Sequence, residues 1–199
     1  IRISTNSLTQ GLRVAGSFAT NRVITLNAGS SAIEVTEGNT FTLNSPFAVS
    51  GASNVLAKND NGVLVLGTSN VGVGWFGAMV VNAGALRLSN ADAPGLSSGT
   101  ISQATAVPGS AVQLSGGVSI ASPLALNGAG TAGAYGLSAS GLNFAGALES
   151  VSGNNTWSGP VNLVGDAVIG ADLGASLTIT GSISGGKVLT AGGSGSVSF

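Results

Sequence analysis

Apolar and polar positions alternate in short bursts along the whole chain. Leu12-Arg13-Val14, Ile33-Glu34-Val35, Phe41-Thr42-Leu43 and Leu86-Arg87-Leu88 each place two apolar side chains around a middle residue of another kind. Ile24-Thr25-Leu26, Phe47-Ala48-Val49, Val63-Leu64-Val65-Leu66, Val112-Gln113-Leu114, Leu124-Ala125-Leu126, Val161-Asn162-Leu163 and Leu177-Thr178-Ile179 continue the pattern. Successive side chains of an extended strand point to opposite faces, so each triplet buries two residues and turns the third away. Gly, Asn or Ser follows almost every triplet, which is turn chemistry. The pattern predicts short strands with one buried face, joined by tight turns.

The bursts recur at intervals of roughly 6 to 12 residues, a spacing that hairpin-built sheets also show. Self-similarity separates the alternatives further. Phe41-Thr42-Leu43 is echoed by Leu177-Thr178-Ile179, Val63-Leu64-Val65 by Val197-Ser198-Phe199, and Ile24-Thr25-Leu26 by Val161-Asn162-Leu163. Residues 136–199 therefore read as a second copy of residues 1–66. The expectation is one continuous β-solenoid over residues 1–199, a window of a longer repetitive chain. At about 20–25 residues per rung and about three short strands in each, it would form roughly eight to ten rungs and a rod on the order of 40 Å long. A β-sandwich is the alternative fold.

Composition sharpens this picture by subtraction. The 199 residues include 33 Gly, no Cys and no His. A His-based triad, a thiol nucleophile, a His or Cys metal site and a disulfide framework are excluded. Only 7% of residues are charged and the formal net charge is −1, without the basic patch of a nucleic-acid binder. The longest apolar runs, Val63–Leu66 and Ala78–Val81, fall far short of the roughly 18 residues of a membrane helix. Expected partners therefore exclude nucleic acid, and no membrane span is expected in this segment.

Residues 55–88 carry the most specific signal. Val55-Leu56-Ala57-Lys58 leads through Asn59-Asp60-Asn61-Gly62 into Val63-Leu64-Val65-Leu66-Gly67, and Val80-Val81-Asn82-Ala83-Gly84-Ala85-Leu86 follows. This stretch resembles the autotransporter-associated β-strand repeat of bacterial surface proteins. It departs from that pattern where Val71-Gly72-Val73-Gly74-Trp75-Phe76 replaces the usual Thr-Tyr-Thr stretch, and where Asn61-Gly62-Val63 precedes the strand. The resemblance implies a right-handed parallel β-helix, an extracellular or cell-surface location in a bacterium, and a structural or adhesive role. It transfers no catalytic residue and no cofactor.

Several motifs invite a chemical reading. Gly72–Gly77 and Gly128–Gly133 both fit G-x-G-x-x-G, and Gly181–Lys187 nearly fits a phosphate loop. Such sites need a helix to open at the loop, and no helical period follows any of them; they read as turns. Lys58-Asn59-Asp60-Asn61-Gly62 offers a single carboxylate beside a cation, too little for calcium, and also reads as a turn. Glu34 or Glu37 stacked near Asp60 is the best carboxylate pair for a polysaccharide-active enzyme, although solvated carboxylates are the simpler expectation. Thr40/Thr42 and Thr178/Thr180 hint at an ice-binding face, but most rungs lack the Thr array it needs.

Trp75, Phe76 and Tyr135, with Trp157, are candidate surface-binding aromatics for a glycan or a host surface. The leading functional expectation is a rigid, non-enzymatic stalk or scaffold segment of a fibre-forming extracellular protein. End-to-end self-association, or stacking on neighbouring repeats of the same chain, is its expected partnership. A carbohydrate- or host-binding adhesin is the alternative.

Overall fold

A computed structural model describes residues 1–3, 7–72, 78–95, 99–103, 109–130 and 146–199, with backbone alone for 27–28 and 50–54. The described residues form strands and turns without helix. Among the described residues every strand pair is parallel. Parallel neighbours cannot be joined by hairpins; the chain instead travels once around and returns one rung further on. This is a β-solenoid of about seven turns, and the β-sandwich is excluded.

Strands lie on three faces, though not every rung has one on each. The second face is the most continuous: Phe18–Thr20, Thr40–Leu43, Val63–Leu66, Gly84–Leu88, Ser110–Ser115, Leu148–Ser152, the end of Val161–Ala171, and Leu189–Gly193 stack in that order. The first face stacks a stretch of Ala48–Asn59 on Met79–Val81, Ile101–Gln103, Leu124–Gly128, the start of Val161–Ala171, and Ile183–Ser184. The third stacks Ser119–Ile120, Asn154–Trp157, Ser176–Ile179 and Ser196–Ser198. Seven steps at the usual inter-strand spacing give a stack about 34 Å long.

The stack falls at the short end of the expectation, with one circuit enlarged. Most circuits take 20 to 26 residues, as from Leu177 to Val197 and from Arg87 to Gln113. The circuit from Gln113 to Glu149 takes 36. The echo across about 136 residues does not follow the rungs, since Phe41 stands on the second face and Leu177 on the third. The structural repeat is the rung itself.

The alternation reads directly onto the core. Phe41, Leu64, Leu86, Val112, Leu148 and Ile169 form one inward column of the second face, each in register with the next. Leu56, Met79, Ile101, Leu124 and Val161 form its counterpart on the first. Trp157 lies between Ile120 and Ile179 on the third and is fully buried. Stacking like on like removes apolar surface from water at every step, the main favourable contribution to the fold.

Corners between faces need other solutions, because backbone groups there leave the ladder and must still be paired. Asn70 is buried at one such corner. Its Oδ1 accepts the Phe47 N–H at 2.8 Å and its Nδ2 donates to the Ala93 carbonyl at 2.7 Å, tying three rungs together. Asn155 accepts the N–H groups of Gly117 and Val118 and donates to Ser150 Oγ. Glycine is required where rungs approach most closely: Gly84 has φ +65°, and a Cβ there would stand 2.3 Å from the Gly62 carbonyl oxygen.

Candidate functional site

Of the candidate aromatics, Trp75, Phe76 and Tyr135 lie outside the described residues. Trp157 is corrected: its side chain is 0% exposed in the core, so it offers no surface for a ligand. The carboxylate pair expected near Glu34 does not form as such. Register sets Glu34 opposite Asn59 rather than Asp60, and Glu37 is exposed in the next turn. Gly181–Lys187 contains the short strand Ile183–Ser184 and opens no helix. Both G-x-G-x-x-G stretches run into residues outside those described.

The Lys58 turn has a structural explanation. Lys58 lies in register between Ile33 and Val81, an inward position, and is 1% exposed. Its Nζ donates to the carbonyl oxygens of Asn59, Asp60 and Ala83 at 2.8, 2.6 and 3.1 Å. The ammonium thus occupies the place a bound cation would take. Burial pushes its pKa down to about 7, against the opposing pull of Asp60. Asp60 holds a left-handed backbone at φ 64°, and its Oδ1 accepts the Asn61 N–H. Gln103 fills the same need further along the stack, donating to the carbonyls of Ser110 and Ala147.

The concentration of polar chemistry is elsewhere, on the outward side of the second face. Alternation turns Val65, Arg87, Gln113 and Glu149 away from the core in one column, each in register with the next. Arg87 donates from Nε and Nη2 to Gln113 Oε1 at 3.0 and 2.8 Å. Gln113 Nε2 donates onward to Glu149 Oε2 at 2.7 Å. Gln113 and Glu149 are both fully buried.

Asp172, just past the strand that follows Glu149 in the stack, completes the set. Glu149 Oε1 and Asp172 Oδ1 are buried oxygens that no N–H or O–H reaches. A proton on Glu149 resolves this, because its carboxyl then bonds to the Asp172 carboxylate. Burial, with Asp172 adding to it, pushes the Glu149 pKa up to about 8 against the pull of the Gln113 hydrogen bond and Arg87. At neutral pH Glu149 therefore keeps its proton. Burial also pushes the Arg87 guanidinium below its ordinary value, offset by Glu149 and Asp172, and it remains a cation.

Beside this relay runs a groove of about 570 Å³. Its lining comes from six successive rungs, from Thr40 and Thr42 through Arg87 to Asp172. Glu149 is fully buried and presents no surface to a substrate. It holds Gln113, and Gln113 in turn orients the Arg87 guanidinium. Among the described residues no group of three or more acidic side chains is placed to hold a metal.

No protein-family model, curated protein or solved structure matches the chain.

Proposed function

We propose that this chain is a rigid structural segment of a large extracellular bacterial surface or fibre-forming protein, serving as a stalk or scaffold. The observation that carries the reading is the unbroken second face, eight strands stacked in parallel along one axis. Hydrogen bonds along the axis resist extension, and the columns of Leu, Val, Ile and Phe hold each rung in register. The low charge and the absence of His and Cys agree with a scaffold without a reactive centre. The resemblance of residues 55–88 to autotransporter-associated repeats supports the cell-surface location. Protease treatment of intact producing cells tests it: an antibody to this segment should lose its signal without lysis, and a signal protected until lysis would refute the location.

End-to-end association is a second reading with its own support. Among the described residues, Phe18–Thr20 and Leu189–Gly193 each pair on one side only. Ile1 and Phe18 are 53% and 51% exposed, Val188 and Phe199 63% and 70%. Unpaired strand edges with apolar side chains template further strands, from a second copy or a neighbouring repeat. Sedimentation velocity across a hundredfold concentration range should show growing species; a single invariant monomer would refute association between copies.

A further inference from the structure

We propose that the outward groove of the second face binds an extended, neutral polysaccharide lying along the rod, with Arg87 and Asp172 as its polar anchors. Six rungs at the inter-strand spacing make the groove about 24 Å long, so a repeating ligand would meet a repeating wall. Thr40, Thr42, Ser89, Ser115 and Ser152 line it with hydroxyls, which both donate and accept as sugar hydroxyls do. Val151, with the narrow exposed edges of the buried Val63 and Val65, supplies an apolar patch for the C–H faces of sugar rings.

Other occupants fit less well. The lining holds one cation and one anion, so an acidic polymer or nucleic acid would find no excess positive charge. A peptide adding as a strand needs a free edge, yet Val63–Leu66 and Gly84–Leu88 are paired on both sides. A hydrophobic helix would find three valines among ten lining residues.

The relay behind the groove explains why the anchors are held in place. Gln113 fixes two N–H groups of Arg87, Glu149 fixes Gln113, and the proton on Glu149 ties Asp172 to the same chain of bonds. A supporting shell of this kind pre-orients binding groups and reduces the ordering that binding requires.

Affinity electrophoresis of the folded chain through gels containing dextran, hydroxyethylcellulose, galactomannan or polygalacturonate tests the proposal. Retardation is expected in at least one neutral polymer and not in polygalacturonate. Asp172→Asn and Arg87→Gln should weaken it at least tenfold. Thr42→Trp fills the far end of the groove without touching the relay and should abolish retardation while circular dichroism stays unchanged. Ser182→Trp, at an exposed position on another face, should leave it intact. No retardation in any neutral polymer, retardation by polygalacturonate alone, or wild-type retardation of Thr42→Trp would each overturn the proposal.

Discussion

Gln113 Nε2 donates to Glu149 Oε2 at 2.7 Å across a single step of the stack, although 36 residues separate them in the chain. That bond closes the enlarged circuit and links Arg87 to the acid pair. A buried polar chain of this kind is valuable only when complete, since a half-satisfied one leaves desolvated groups unpaired. Its protonation should therefore be visible in stability.

Glu149 gives the first prediction. Its folded pKa of about 8 lies above the ordinary carboxylate value of 4.5. The folded state then holds a proton that the unfolded state has released. Stability from this group is complete below about pH 4.5 and is lost as pH rises through about 8. Glu149→Gln keeps an acceptor for Gln113 and a donor for Asp172 without titrating. Between pH 5 and pH 9, urea unfolding should show the wild type losing stability relative to the variant, in which Lys58 alone acts and in the opposite sense. At pH 9 the variant should be more stable by on the order of 1–3 kcal/mol.

Lys58 should act with the opposite sign. Its folded pKa of about 7 lies below the ordinary 10.5, so the unfolded state binds more protons between those values. Stability from this group is complete above about pH 10.5 and falls away as pH drops to about 7. Lys58→Met should remove that rise. It should also destabilise the fold by about 1–3 kcal/mol at neutral pH, because three carbonyls lose their donor. Thermal unfolding at pH 7 and pH 10 reports both effects.

Glycine positions can be separated by a paired comparison. Gly84 and Gly38 both hold positive φ, but a Cβ at Gly84 collides with the Gly62 carbonyl whereas one at Gly38 meets nothing within 4 Å. Gly38→Ala should lose about 1 kcal/mol from backbone strain alone. Gly84→Ala should lose at least about 3 kcal/mol, because two rungs must also move apart. Denaturant midpoints measured side by side decide it.

Much of the fold was legible in the sequence because alternation is a local property. The triplets at 12–14, 33–35, 41–43, 86–88, 112–114 and 177–179 all lie in strands, and their apolar members fill the core with few exceptions. The polar site was less legible because it depends on register. Asp172 follows Glu149 by 23 residues, one ordinary rung, and that interval was the available signal. The path from Gln113 to Glu149 runs through the enlarged circuit, whose length no local pattern reports. Lys58 and Gln103 stand at core positions because corner carbonyls need donors, a demand visible only once the corners are placed.

The central claim is that successive rungs stack in parallel and in register, and nuclear Overhauser contacts test it most directly. Amide and Hα contacts should link Leu64 to Leu86, Leu86 to Val112, and Val112 to Leu148 and their immediate neighbours. Close Hα–Hα contacts between adjoining strands, the mark of antiparallel pairing, would contradict the account.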